Sequence, residues 1–366
     1  MAPCKILEWT AGQTALIGPF TIRGLAVKEM KYGPLLDLLL MTLSPSLART
    51  SNVKPKPEET RSLQHCLWEA LYGSINAKSM NGNVRKVGFL QEFNGAKERL
   101  KIFKADLLEE GSFDEAIQGV DGVFHIAAPV LVPYSDRIQE TLIDPCIKGT
   151  LNVLNSCSKA SSVKRVVFTS SSSTVRYRDD TPQIFSLNES HWSDTEYCKR
   201  HNLWYAYAKT VAEKEAWRVS KENGIDLVSF IPSFVVGPLL APEPNSTLLL
   251  IQSIVKGSRG EYPNMTVGFT HIDDVVAGSI LAMENSEASG RLLCSGQVAH
   301  WSQIIEMLRA KYPSYPYENK CSSQEGDTNP HSMDTTKIAQ LGLPPFKTLE
   351  EMFDDCIKSL QEKGFL

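Results

Sequence analysis

Apolar positions are distributed differently on the two sides of residue 83. Before it, Pro, Gly and Ser interrupt every apolar run, and SPSLARTSNVKPKPEETRS (44–62) reads as loop or disorder. After it, strand-like and helix-like segments alternate. LKIFKADL (100–107), VDGVFHIAAP (120–129), VKRVVFTSSSS (163–173) and DLVSFIPSFVVGP (226–238) read as strands, mostly unalternated and rich in β-branched residues. That is the pattern of strands buried on both faces. Between them, SFDEAIQG carries Glu115 three residues after Ser112, which predicts a capping box. Helical spacing predicts a helix over roughly 138–161 and another carrying NLWYAYAKTVAEKEAW (202–217). The expectation is an α/β fold, with a Rossmann-like parallel sheet covered by helices on both faces. Ligands of such sheets bind at the carboxyl ends of strands. Ala127–Pro129, Ser170–Ser173 and Pro232–Ser233 fall there.

Composition narrows the class. The chain has 366 residues, 42% of them hydrophobic, enough for a large core in one domain or two. A net charge of −4 without a long basic run gives no reason to expect nucleic acid or an anionic membrane as partner. Eight cysteines without a CxxC read as reduced thiols. Seven histidines show no ligand spacing, so no metal is expected. LLDLLLMTL (35–43) contains Asp37 and is too short to span a bilayer. The expectation is a soluble, cytoplasmic protein, and nothing in the sequence indicates its oligomeric state.

The helix over 202–217 carries the chemistry. Tyr205 and Lys209 are four residues apart and share a helix face, whereas Tyr207 faces elsewhere. A phenol titrates near pH 10, too high for easy proton exchange at neutral pH. A neighbouring ammonium favours phenolate, which predicts that Lys209 makes Tyr205 a usable acid or base. A serine hydroxyl on the same carbonyl would orient it and stabilise developing oxyanion character. Taken singly, a YxxxK also fits core packing, and serines at a strand end also fit an ST-turn. A serine cluster followed after 34 residues by YxxxK on a helix fits the chemical reading better.

The segments KVGFLQEFNGAKERLKIFKADL, GSFDEAIQGVDGVFHIAAPVLVP, RVVFTSSSSTVRY, LNESHWSD, NLWYAYAKT, PSFVVGPLL, TVGFTHIDDVV and ENKCSSQEGDTNPHSMDT resemble the extended short-chain dehydrogenase/reductase family. The resemblance is to its plant branch of dihydroflavonol and cinnamoyl-CoA reductases, and most of all to the group that reduces tetraketide α-pyrones for the pollen exine. It implies an NADP(H)-dependent oxidoreductase acting on a small-molecule carbonyl. It implies Ser171, Tyr205 and Lys209 as catalytic residues, with Lys209 also holding the nicotinamide ribose. Asp106 would lie beside the adenine, Ala127, Ala128 and Pro129 would line the cofactor, and Pro232 and Ser233 would flank the nicotinamide. Arg176, His191 and Trp192 are candidate substrate-lining residues. Dihydroflavonol reductases usually carry asparagine where Arg176 stands, and cinnamoyl-CoA reductases carry KNWYCYGK where this chain reads HNLWYAYAK. Both alternatives, dihydroflavonol and cinnamoyl-CoA, are therefore less expected as substrates.

The resemblance organises the chain into a non-matching segment (1–83), an incomplete dinucleotide-binding part (84–238) and a mainly substrate-binding, smaller C-terminal lobe (239–366), with 268–296 returning to the Rossmann part. The first βαβ unit, with its GxxGxxG turn, is missing or replaced: Gly12, Gly18 and Gly24 lie six apart, and Pro19 stands where a helix should run. Residues 1–83 must then refill the place of the first strand in the sheet. A chain without the phosphate-binding turn also raises a second expectation, a catalytically impaired or non-catalytic Rossmann-like protein.

Overall fold

The computed structural model describes residues 21–24, 36–37, 40–44, 100–103, 105–126, 128–129, 137–239, 241–323 and 331–366. Its strands run β1 (Thr21–Gly24), β2 (Leu36–Asp37), β3 (Leu40–Ser44), β4 (Leu100–Ile102), β5 (Gly122–His125), β6 (Ala128–Pro129), β7 (Arg165–Thr169), β8 (Leu227–Pro232), β9 (Phe234–Val236), β10 (Thr266–His271), β11 (Gly290–Cys294) and β12 (Gln297–His300). Seven of them form one sheet in the order β11-β8-β7-β5-β3-β1-β4. β11, β8, β7 and β5 are mutually parallel.

β1 and β3 supply neighbours that β4 and β5 would otherwise lack. β1 runs parallel to β4, whereas β3 is antiparallel to both β1 and β5. The sheet is thus parallel apart from β3. The expectation that the early chain must refill the first-strand position agrees with this pairing, since an open edge there would leave a row of backbone groups unpaired. The expected onset of order near Val84 lies outside the described residues.

Burial on both faces explains why the central strands do not alternate. In β7, Val166 and Phe168 pack on one face, with Val153, Leu154 and Cys157 of the helix Asp144–Lys159 and Ala216 and Val219 of the helix Trp204–Asn223. Val167 packs on the other, with Val275 and Val276 of the helix Ile272–Glu284 and Met352, Phe353 and Cys356 of the helix Leu349–Glu362.

One local expectation is corrected, and two expected elements show added detail. Ser112 does not cap a helix: the helix Asp114–Ile117 has Phe113 at its N-cap with no side-chain cap bond, and the Ser112 hydroxyl instead accepts from Asp106 N at 2.5 Å. The helix expected over 138–161 begins as a π-turn at Gln139–Ile143 before becoming regular at Asp144. The strand expected over 226–238 is two: β8 lies in the main sheet, and after Ser233 the chain crosses as β9 into a three-stranded sheet β12-β10-β9. Among the described residues, no helix is long and apolar enough to cross a membrane.

Candidate active site

β7 ends at Thr169, and the chain turns at once. Ser170 N still donates to Phe230 O (2.7 Å), continuing the ladder with β8. Ser171 is extended and caps the short 3₁₀ turn Ser172–Thr174, its Oγ accepting from Ser173 N at 3.2 Å. The strand-end ST-turn is therefore formed.

Tyr205 stands in the first turn of the helix Trp204–Asn223, which ends at Gly224 in the left-handed conformation (φ 66°) that glycine adopts without strain. Lys209, one turn on, is buried and donates from Nζ to the Thr169 carbonyl at 2.9 Å. Tyr207 turns away, packing edge-on to Trp204 with Lys199 over its ring.

The electrostatics differ from the sequence expectation. Burial pushes the Tyr205 phenol up, the Cys146 side chain adds to this, and only the Ser171 hydrogen bond opposes it. Lys209 is not among the causes. Burial pushes its own ammonium down, against the raising influence of Cys146 and Glu213. With Lys209 bound to a backbone carbonyl, Tyr205 stays protonated at neutral pH, which suits a proton donor rather than a base.

Three groups that sequence reasoning missed lie beneath this turn. Glu213, fully buried one turn beyond Lys209, accepts from Ser170 Oγ (2.6 Å), Ser229 Oγ (2.5 Å) and Arg291 Nε (2.8 Å). Burial alone would push its carboxyl up; the Arg291 charge and these hydrogen bonds outweigh that and hold it below the usual range. A glutamate four residues after Lys209, on the face that must enter the core, was a readable signal. Arg291, inside RLLC, offered none. His125, at the end of β5, is completely buried with neither ring nitrogen hydrogen-bonded, and burial followed by the Lys209 charge pushes it down to about 3. It is a neutral imidazole.

The other candidates are placed as follows. Asp106 Oδ1 accepts from Leu108 N (3.0 Å), closing the turn after β4. Ala128 and Pro129 are buried, and β6 pairs antiparallel with β2; Ala127 lies outside the described residues. Pro232 ends β8, and Ser233 N donates to Cys294 O (3.0 Å), while the buried Ser233 Oγ has no partner. Arg176 is buried and reaches across to β10, with Nη1 donating to Thr266 O (2.7 Å) and Nη2 to the Tyr177 hydroxyl (2.5 Å). His191 Nδ1 accepts from Asn188 N (3.1 Å), and the Trp192 ring lies under the Arg291 guanidinium at 3.8 Å. Both order the loop before the Tyr205 helix.

The nicotinamide end of a dinucleotide fits these residues: Ser171 and Ser233, the latter with a buried unpartnered hydroxyl, follow the adjacent parallel strands β7 and β8 at the sheet end that Lys209 reaches from its helix. Among the described residues, no cluster of three His, Cys, Asp or Glu could hold a metal ion.

Residues 74–293 match the pattern of the NAD dependent epimerase/dehydratase family. The chain is 66% identical to tetraketide alpha-pyrone reductase 2 of Arabidopsis thaliana over a stretch covering 77% of this chain and 88% of that protein. It is 43% identical to the cinnamoyl-CoA reductase CAD2 of Medicago truncatula, covering 77% and 86%. The crystal structure of vestitone reductase from alfalfa (Medicago sativa L.) superposes with a TM-score of 0.65 at 32% identity, covering 76% of this chain and 88% of that one.

Proposed function

This chain belongs to the NAD-dependent epimerase/dehydratase family, and from that membership we propose that it reduces the ketone of a tetraketide α-pyrone to an alcohol with NADPH. The observation that carries the reading is that Lys209, one helical turn after Tyr205, reaches the Thr169 carbonyl at 2.9 Å and so brings the Tyr205 helix to the end of β7, where Ser171 turns. NADPH, when bound, supplies the hydride. The chain supplies the rest. Tyr205, kept protonated by burial, gives its proton to the carbonyl oxygen, and solvent replaces it. Ser171 donates a hydrogen bond to the same oxygen, which orients the carbonyl and stabilises the charge that develops on it. Lys209 would hold the nicotinamide ribose, Ser233 and Pro232 the nicotinamide side, Ala127, Ala128 and Pro129 the strand end beneath, and Asp106 the adenine.

The α-pyrone is favoured over cinnamoyl-CoA or a dihydroflavonol by two observations. The 66% identity is to an α-pyrone reductase, and Arg176 replaces the asparagine usual in dihydroflavonol reductases. A cytoplasmic setting in pollen-wall synthesis belongs to this reading. The test is NADPH oxidation by the purified chain with a tetraketide α-pyrone, a dihydroflavonol and cinnamoyl-CoA in parallel. A higher kcat/KM for either of the latter two would overturn the substrate assignment.

A further inference from the structure

We infer that Glu213 and Arg291 are positioning residues that lock the Ser171 turn to the helix carrying Tyr205 and Lys209, and tie both to the loop 188–193. This rests on the reading of Ser171, Tyr205 and Lys209 as the reacting group.

The residues involved come from five separate parts of the chain. Glu213 lies on the same helix as Tyr205 and Lys209, eight and four residues on, so all three face one way. Its carboxylate takes the hydroxyl of Ser170, the residue next to Ser171, at 2.6 Å and that of Ser229 in β8 at 2.5 Å. Arg291 comes from β11 and completes the carboxylate through Nε at 2.8 Å. The rest of its guanidinium is distributed over the same region. Nη2 donates to Thr174 Oγ1 (2.8 Å), and Thr174 donates back to the Ser171 carbonyl through its own Oγ1 (2.9 Å) and its amide (2.8 Å). Nη1 donates to the carbonyls of Glu189 (2.9 Å) and His191 (2.5 Å), while the Trp192 ring lies against its face.

Ser171 is therefore held on both sides, through Ser170 to Glu213 and through Thr174 to Arg291. The position of the Ser171 turn against the helix that carries Tyr205 is thus tied to one buried ion pair. A buried pair of this kind adds little net stability compared with apolar residues of the same volume. Fixing a geometry in which small displacements slow the reaction is a role that apolar residues could not fill.

Two variants test this. Ser170→Ala removes the hydroxyl that donates to Glu213 and lies 3.4 Å from Thr174 Oγ1, and it removes no charge. Glu213→Leu with Arg291→Met removes both charges together, leaving neither buried alone. Carbonyl reduction is expected to slow about tenfold in the first and about a hundredfold in the second, in kcat rather than KM. The amides of Ser173, Thr174 and Val175 are expected to exchange with deuterium faster in both, without a matching loss of protection in β8. Wild-type kcat and wild-type exchange in Ser170→Ala would overturn the inference, whether or not the double variant folds. If the unmodified chain reduces no ketone, the functional reading fails by itself, and the exchange rates still decide whether this pair holds the turn.

Discussion

Replacing Gly149 by alanine sets two known effects against each other. Gly149 lies inside the helix Asp144–Lys159, where alanine is favoured over glycine by about 1 kcal/mol. The same position faces Leu107. A Cβ there would lie 2.2 Å from Leu107 Cγ and 2.3 and 2.7 Å from its Cδ atoms, so the leucine or the helix must move. Leu107 is fully buried, and its carbonyl is held by Asn152 Nδ2 at 2.8 Å. Overpacking of this kind costs about 1–3 kcal/mol, so the net expectation is a loss of about 0–2 kcal/mol in spite of better helix propensity. Asp106 adjoins Leu107, and with Asp106 read as the adenine contact, KM for NADPH should rise while kcat holds. Urea unfolding measures the first effect and steady-state kinetics the second. Leu107→Ala alone opens a cavity costing about 2–5 kcal/mol; with Gly149→Ala it removes the clash and is partly refilled, so the pair should cost less than the sum. A variant stabilised by the full propensity increment, with unchanged KM and strict additivity, would show that the helix and Leu107 do not meet as described.

Three further outcomes are expected. Tyr205→Phe should lower kcat about a hundredfold or more with NADPH binding retained, and an unchanged rate removes Tyr205 from the reaction. NADPH titrated by fluorescence should bind at least about tenfold more weakly than to Arabidopsis tetraketide alpha-pyrone reductase 2. The sequence before residue 83 has no GxxGxxG, and a hydrogen bond to a charged phosphate is worth about 1.5–3 kcal/mol; equal affinity would locate the phosphate grip elsewhere in the chain. Burial pushes Asp274 up to about 6, so the native state holds this proton more tightly than the unfolded chain. The stability tied to it is present below about pH 4 and lost as pH rises through about 6. Asp274→Asn should raise the urea midpoint at about pH 7 and leave it unchanged at about pH 4, whereas equal shifts would assign the effect to something other than ionisation.

The sequence by itself determined the alternation of strands and helices after residue 83, because burial on both faces demands the runs seen in RVVFT and LVSFIP. It also determined that Tyr205 and Lys209 share a helix face, since helical periodicity is local. It could not place the partners of those groups. Whether Lys209 acts on the phenol or on a carbonyl depends on where Thr169 lies, 40 residues away in sequence, and the structure puts that carbonyl within 2.9 Å. The fate of the Ser112 hydroxyl was likewise decided by Asp106 across a turn, not by the helix signature that follows it. Glu213 and Arg291 are 78 residues apart and meet because the helix carrying Glu213 packs on β8, where Ser229 bonds it, and β11 lies beside β8 in the sheet. Periodicity is set by neighbours along the chain, whereas burial, desolvation and charge pairing are set by neighbours in space, so only the folded sheet could decide how the tyrosine, the lysine and the serine turn are held.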